Sequence, residues 1–270
     1  MTDLRLAIRT LRKSMGFATA PVATWRVSKG AVESPFLRKS QGAAMKPSVL
    51  AVLFALLAAG PRAASPAAPP LHGDVLYHMT LLRAAPGRLL DLVAEVKGKA
   101  PWIFRHSQGD HWDLMVLAPV GSYAEHFKGT AGPLAAEELV AWQEEEFMRG
   151  PDLASLPGSA EAGVVHIEMF HALAGKRAEL LRQRDMENAY LGATGQPQNA
   201  IFVREVGASW DAFTLGVYRN WRHYAEAQEV PAEKDEAAAR AAGFTSRSAI
   251  GAYLRALILD HHDTLAAPVR

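Results

Sequence analysis

The chain has 270 residues, with 29 Lys and Arg against 28 Asp and Glu, and no cysteine. The lack of cysteine excludes disulfides, thiolate metal sites and cysteine nucleophiles. The near balance of charge hides an asymmetry: residues 1–44 carry eight basic and two acidic groups, whereas residues 66–270 carry 19 basic and 26 acidic groups. The body of the chain therefore lacks the clustered positive charge that nucleic-acid binding needs.

The first stretch, residues 1–44, reads as a basic leader outside the folded protein. Met45 begins a more informative start. Lys46 is followed by the apolar run Val49–Ala59, the break Gly60-Pro61, and small residues through Ala68. This is the layout of a secretory signal peptide over residues 45–68, with cleavage between Ala59 and Ala68. The run is too short for a stable membrane span. A periplasmic or secreted protein is expected, starting at Met45. Within the leader, Asp3–Phe17 resembles the cytoplasmic entry segment of ABC-transporter permeases of the macrolide-exporter type, and the resemblance ends there.

Beyond residue 69 two segments match each other. His78–Arg88 aligns without gaps on His166–Lys176, and both read as an alternating strand, a Gly-containing turn and a helix start. Downstream, Ile103-Phe104 and Trp112-Asp113 match Ile201-Phe202 and Trp210-Asp211, and Tyr123-Ala124-Glu125 matches Tyr224-Ala225-Glu226. The pattern predicts two β-α-β-β-α units, over 69–160 and 161–270. The first has strands over Val75–Leu82, Trp102–His106 and Trp112–Pro119, and a helix with Leu89, Leu92, Val93 and Val96 on one stripe. The second has strands over Val164–Ala172, Ala200–Glu205 and Trp210–Tyr218, with a longer helix from Lys176 to Gly192. Helical extensions are predicted around Leu139 and Trp142, and from Ser246 to Thr264 behind a Thr245 cap.

This element order, used twice, resembles the ferredoxin-like fold of the dimeric α/β-barrel superfamily. That group includes antibiotic-biosynthesis-type monooxygenases, NIPSNAP proteins and chlorite-dismutase-like haem proteins. The resemblance implies an α+β protein whose two units pack their antiparallel sheets as an intramolecular pseudo-dimer. It departs from the family in one respect: neither unit shows a closing fourth strand in its sequence.

Strand alternation sorts the polar groups. Val165, Ile167 and Met169 share a face expected to pack on helices. His166, Glu168 and Phe170 share the other, with His78, Thr80 and Leu82 matching them in the first unit. That face is expected to meet its counterpart in one inter-sheet space, lined also by His106 and Arg204. His166, Glu168 and His78 are the candidate acid–base residues; hydrogen-bonded imidazoles in a polar sheet face are the alternative. Arg184, Glu187 and Asn188 either line a cleft or mark a helix that runs on into solvent. His261 falls in the apolar stripe Ile250, Leu254, Leu257, Ile258, Leu265, as a core histidine or a pocket group. His262 and Asp263 read as capping and surface groups. The two Trp-Asp pairs read as structural.

No nucleophile elbow, phosphate-binding loop, dinucleotide fingerprint or HExxH motif is present. The expected function is that of an exported binder of a small apolar or aromatic ligand. The superfamily resemblance implies a cofactor-free monooxygenase- or isomerase-like enzyme. The alternatives are a carrier of haem or another hydrophobic ligand with a His as axial ligand, and a structural or homo-oligomer-forming module. No metal and no specific cofactor is assigned by the sequence.

Overall fold

The computed structural model describes residues 71–270 apart from 109, 130, 131 and 208. The leader and the signal segment expected over residues 1–68 lie outside the described residues. The strands are β1 (Val75–Ala84), β2 (Trp102–Gln108), β3 (Leu114–Pro119), β4 (Val140–Gly150), β5 (Val164–Ala172), β6 (Ala200–Gly207), β7 (Ala212–Tyr218) and β8 (Ile258–Pro268). The helices are α1 (Leu89–Val96), α2 (Tyr123–His126), α3 (Arg177–Thr194), α4 (Trp221–Ala227), α5 (Ala232–Ala241) and α6 (Ala249–Arg255). All strand pairs are antiparallel, and the sheet closes into a barrel in the ring order β1-β3-β2-β8-β5-β7-β6-β4. Each half contributes four strands in like order, β4-β1-β3-β2 and β8-β5-β7-β6, joined at the β2–β8 and β6–β4 seams. None of the described helices is long and apolar enough to cross a membrane.

Closure depends on two strands that the sequence does not announce. β4 replaces the helical extension expected around Trp142, and β8 replaces the last seven residues of the helix expected over Ser246–Thr264. The reason differs in each case. On β4 the inward register holds Trp142, Glu144, Glu146 and Met148, so two carboxylates stand where apolar alternation would have marked a strand. Near β8, the short helix α6 supplies Ile250 and Leu254, and the strand then places Ile258, His261 and Leu265 at intervals that mimic a helical stripe. The pairs His171 to Asp260 and Phe170 to His261 show that the backbone there is extended and laddered to β5.

The barrel interior is solid. Tyr77, Met79, Leu81, Phe104, Met115, Leu117, Met148, Val165, Ile167, Met169, Phe202, Phe213, Leu215 and Ala266, drawn from all eight strands, form one buried cluster. An eight-stranded barrel is just wide enough for side chains to fill it. Phe202 and Phe213 stack at 4.3 Å, and Phe202 also crosses Tyr77 edge-on at 5.5 Å. Gly150 makes this possible, because a Cβ there would stand 2.3 Å from the Phe202 ring. Truncating such a core aromatic costs about 3–5 kcal/mol.

The strand faces are therefore the reverse of the expectation. Val165, Ile167 and Met169 point into the dry interior, and His166, Glu168 and Phe170 point outward beneath helices. Alternation separates two faces but does not say which one a closed barrel will turn inward. The first half follows the same rule: Leu82, Ile103, Leu114 and Val116 face outward and pack on Leu92 and Val96 of α1. The Trp-Asp pairs behave as structural corners. Asp113 Oδ2 accepts the Ala84 N–H at 2.8 Å, and Asp211 Oδ2 accepts the Ala172 N–H at 2.9 Å. Each aspartate N–H returns to the neighbouring strand, at Leu82 O and Phe170 O, while Trp112 and Trp210 are buried.

Candidate acid–base site

β1 and β5 stand on opposite sides of the ring, four strands apart in either direction. His78 and His166 both point outward, so the shared inter-sheet space expected to unite them does not exist. His78 instead meets Glu145 at 3.5 Å, stacks on Phe147 and lies edge-on to His126. Burial lowers its pKa, against the pull of Glu145. His106 and Arg204 share the inward register of Phe104 and Phe202, the face opposite to that of His166. Arg204 is held there by Asp211 at 2.7 Å, as part of a corner.

The remaining candidates converge on the outer face of the second half. Helix α3 crosses β5 there, with Leu180 packed on Phe170, Leu254, Leu257 and Ile258. Asn188 exchanges two 2.8 Å hydrogen bonds with the Asn199 backbone and ties the end of α3 to the start of β6. The helix thus stays on the sheet and does not run on into solvent. It buries Gln183, Arg184 and Asn188. Such residues survive burial only when hydrogen-bonded.

Arg184 is the centre. Its side chain is 1% exposed, and a guanidinium cannot shed its charge. Nε donates to Gln183 Oε1 at 2.7 Å, Nη1 to Glu168 Oε2 at 3.2 Å, and Nη2 to Glu187 Oε2. Its remaining face lies 4.7 Å above the Phe170 ring, a cation–π contact. Thr214 of β7 adds a hydroxyl donor to Glu168 Oε2 at 3.3 Å. Across β5, His166 Nε2 meets Asp263 Oδ1 of β8 at 2.6 Å, and the His261 ring lies parallel to Phe170. Tyr224 of α4 stands 6.0 Å from His166, centroid to centroid.

The charges explain the protonation states. Arg184 and the His166 imidazolium face three carboxyl groups, Glu168, Glu187 and Asp263, so one carboxylate is in excess. Burial raises the Glu168 pKa; Arg184 and His166 pull it down without prevailing, and Glu187 and Asp263 add to the rise. For His166, burial opposes the charged ring, but the hydrogen bond to Asp263 and the charges of Asp263, Glu168 and Glu187 outweigh it. Its pKa is pushed up to about 9. Burial would raise Asp263 too, yet the His166 contact holds it below its usual value. Asp263 is the solvent edge of the group, 47% exposed, so water screens this pair more than it screens Arg184. Burial, with Arg255, lowers the His261 pKa. Burial also raises Tyr224, to about 12, so its hydroxyl keeps its proton.

The arrangement holds a carboxyl group whose pKa is raised above that of an ordinary glutamate, beside an imidazolium that can donate a proton. Glu168, Glu187 and His166 each keep a minor part of their side-chain surface exposed. Ligand atoms of Glu168, His261 and Asp263 lie within 4.8 Å of one another. A cation there would confront the fixed guanidinium 3.2 Å from Glu168, so the donor set suits proton transfer better than metal binding. An open cleft of about 510 Å³ lies elsewhere, lined by His72, Asp74, Arg149, Ile201, Val203 and Glu205. Within it Arg149 pairs with Glu205 at 2.7 Å, and His72 pairs with Asp185 of α3 at 2.5 Å.

Of the sequence candidates, His166, Glu168, Phe170, Arg184, Glu187 and His261 come together, and His78, His106 and Arg204 do not. Sequence reasoning missed Asp263, Gln183 and Thr214. Asp263 had a signal: once 258–268 is a strand, His261-His262-Asp263 alternates, and Asp263 falls directly opposite Glu168.

No protein-family model matches the sequence, and neither does any curated protein sequence. Among solved structures the chain is similar to an anthrone oxidase-like protein, with a TM-score of 0.52 and 12% identity over 74% of this chain and 94% of that one. It is also similar to a monooxygenase candidate from Lactobacillus acidophilus, with a TM-score of 0.41 and 7% identity over 73% and 95% of the two chains. A haem-binding protein from Thermus thermophilus follows, with a TM-score of 0.36 and 12% identity over 73% and 91%. The first likeness supports the fold, an α+β arrangement around a closed, eight-stranded antiparallel barrel. The other two carry no further argument.

Proposed function

We propose that this protein binds a small, enolisable aromatic molecule beneath α3 and α4 and removes a proton from it with Glu168. The observation that carries this is the buried Arg184 group, which holds Glu168 in place while burial, reinforced by the neighbouring carboxylates, raises its pKa. The aromatic preference rests on Phe170, the parallel His261 ring and Tyr224 around the carboxyl group. An anthrone, a polycyclic ketone with an acidic methylene, has the chemistry that this site fits. Glu168 takes a methylene proton, and the C–H electron pair moves into the enolate, whose oxygen accepts a hydrogen bond from His166. Reprotonation at carbon or oxygen completes an isomerisation. In a monooxygenase reaction, dioxygen is the oxidant. The carbanion carbon forms a C–O bond to it, the resulting peroxide takes a proton, and loss of the second methylene proton with O–O cleavage gives a ketone and one water. The carbon is oxidised by the four electrons that dioxygen accepts.

The test is oxygen uptake and quinone formation from anthrone by the wild-type protein and by Glu168→Gln. Loss of the base should lower the rate by roughly 100-fold or more. An unchanged rate in Glu168→Gln, or no binding of any enolisable aromatic ketone by wild type, removes the reading.

Two further readings accompany this one. The matched Asp113 and Asp211 corners and the like strand order of the halves support a tandem duplication forming an intramolecular pseudo-dimer. The pattern at residues 45–68 supports export to the periplasm or medium from a start at Met45. Intact-mass measurement of the secreted protein tests the second point, and retention of residues 1–44 would overturn it.

A further inference from the structure

One end of the barrel carries a second group of polar side chains that the acid–base site does not use. Asp110 and His111 lie in the turn between β2 and β3, and His262 enters from β8 in the inward register, opposite Met169. Asp110 Oδ1 stands 2.8 Å from His111 Nδ1 and 2.9 Å from His262 Nδ1, and it also accepts the His111 N–H at 2.6 Å. The Asp110 side chain is fully buried, yet its other oxygen, Oδ2, has no hydrogen-bond partner. A buried carboxylate oxygen left unpaired is costly. Three donors crowd one oxygen while its twin has none, which is a poor solution for hydrogen bonding alone.

The same geometry is a good one for a cation. The ligand atoms of Asp110, His111 and His262 lie within 4.8 Å of one another. Around a first-row ion with bonds of about 2.0–2.2 Å, neighbouring ligands stand about 3 Å apart in an octahedral shell and about 3.4 Å apart in a tetrahedral one, so the two Oδ1–Nδ1 separations match the first and need a small opening for the second. His106 Nδ1, also buried and without a partner, lies at the same barrel end, and its ring interacts electrostatically with Asp110 and His111. Trp142 lies 4.8 Å from His111 and Trp210 4.7 Å from His262, so an aromatic ring flanks each imidazole.

We propose that Asp110, His111 and His262 form a divalent transition-metal site at the end of the barrel. Two imidazoles and one carboxylate suit Zn²⁺, Co²⁺ or Fe²⁺, whereas Mg²⁺ and Ca²⁺ take oxygen sets. Three protein ligands leave at least one coordination position for water or a small ligand.

The experiment titrates untagged, chelator-treated protein with Co²⁺, following its visible absorption and the quenching of Trp142 and Trp210 fluorescence, and repeats it with Zn²⁺ in calorimetry. One ion per chain with both optical signals is expected. Losing an outer partner of a metal ligand already costs 10–100-fold, so Asp110→Asn and His262→Gln should each weaken binding by roughly 100-fold or more. Glu168→Gln, at the other cluster, should bind Co²⁺ as wild type does. Far-UV circular dichroism checks that each variant is folded; if one is not, the remaining variant and His111→Gln decide. Sub-stoichiometric binding, binding unchanged in the folded variants, or binding lost in Glu168→Gln overturns the proposal.

Discussion

The outer faces of the two halves use the same positions for different chemistry. On the first, Leu82 of β1 lies under the eight-residue helix α1, and His78, beside His126 of α2, meets a half-exposed Glu145 at 3.5 Å. On the second, His166, Glu168 and Phe170 of β5 lie under the eighteen-residue α3, and His166 meets Asp263 at 2.6 Å. The paired acids correspond in register, since Glu145 faces Thr80 and Asp263 faces Glu168. What differs is the ten-residue lengthening of the helix and the guanidinium it brings over the strand. With Val96 on α1, the first half closes on an apolar contact; with Arg184 on α3, the second must neutralise a buried charge, and the carboxylates that do so make a reactive group.

The comparison is most strongly tested by removing that charge. Arg184→Met should destabilise the fold by about 3 kcal/mol in urea denaturation, because Glu168 and Glu187 stay behind without their partner. The corresponding disruption of the first half, Glu145→Ala, should cost no more than about 0.5 kcal/mol, since that pair is long and solvent-screened. Equal losses would remove the distinction between the halves.

Next in size is the response to pH. His166 has a folded pKa raised above its unfolded value, so its stabilising contribution is complete below about pH 6.5 and is lost as pH rises through about 9. His78, with a lowered pKa, works in the opposite sense: protonation in acid destabilises the fold. NMR titration should place the two rings on opposite sides of the ordinary value, and Asp263→Asn should bring His166 back toward it.

The smallest effect should fall on the parts that are alike. Asp113→Asn and Asp211→Asn each weaken a charge-assisted bond to a strand N–H, for about 1 kcal/mol in melting experiments. Asp211→Asn should cost slightly more, because Asp211 also holds Arg204.

Much of this was legible in the sequence for a physical reason. Strand alternation and the matched Trp-Asp corners are local patterns, and they mark β1, β5, β3 and β7 correctly. A helix carrying Arg184 and Glu187 where α1 is apolar marks the second half as the unusual one. The closing strands were not legible. β4 turns Glu144 and Glu146 inward, and β8 imitates a helical stripe, so neither displays the apolar alternation that tertiary closure would otherwise require. Without those strands the barrel looks open, and an open sheet misleads about which face is dry. That error sent His78 and His166 into one imagined cavity and left Asp263 among surface groups, although the structure does bring His166, Glu168, Arg184 and Glu187 of the second half together.

The central claim is that Glu168, in the second half, is a base acting on a carbon acid. It is tested most directly by solvent deuterium exchange into the acidic methylene of an enolisable aromatic ketone, followed under argon so that only proton transfer is observed. The account predicts exchange accelerated equally by wild type and by His78→Ala, and reduced by roughly 100-fold or more in Glu168→Gln. Exchange at the wild-type rate in Glu168→Gln, or its loss in His78→Ala, would contradict it.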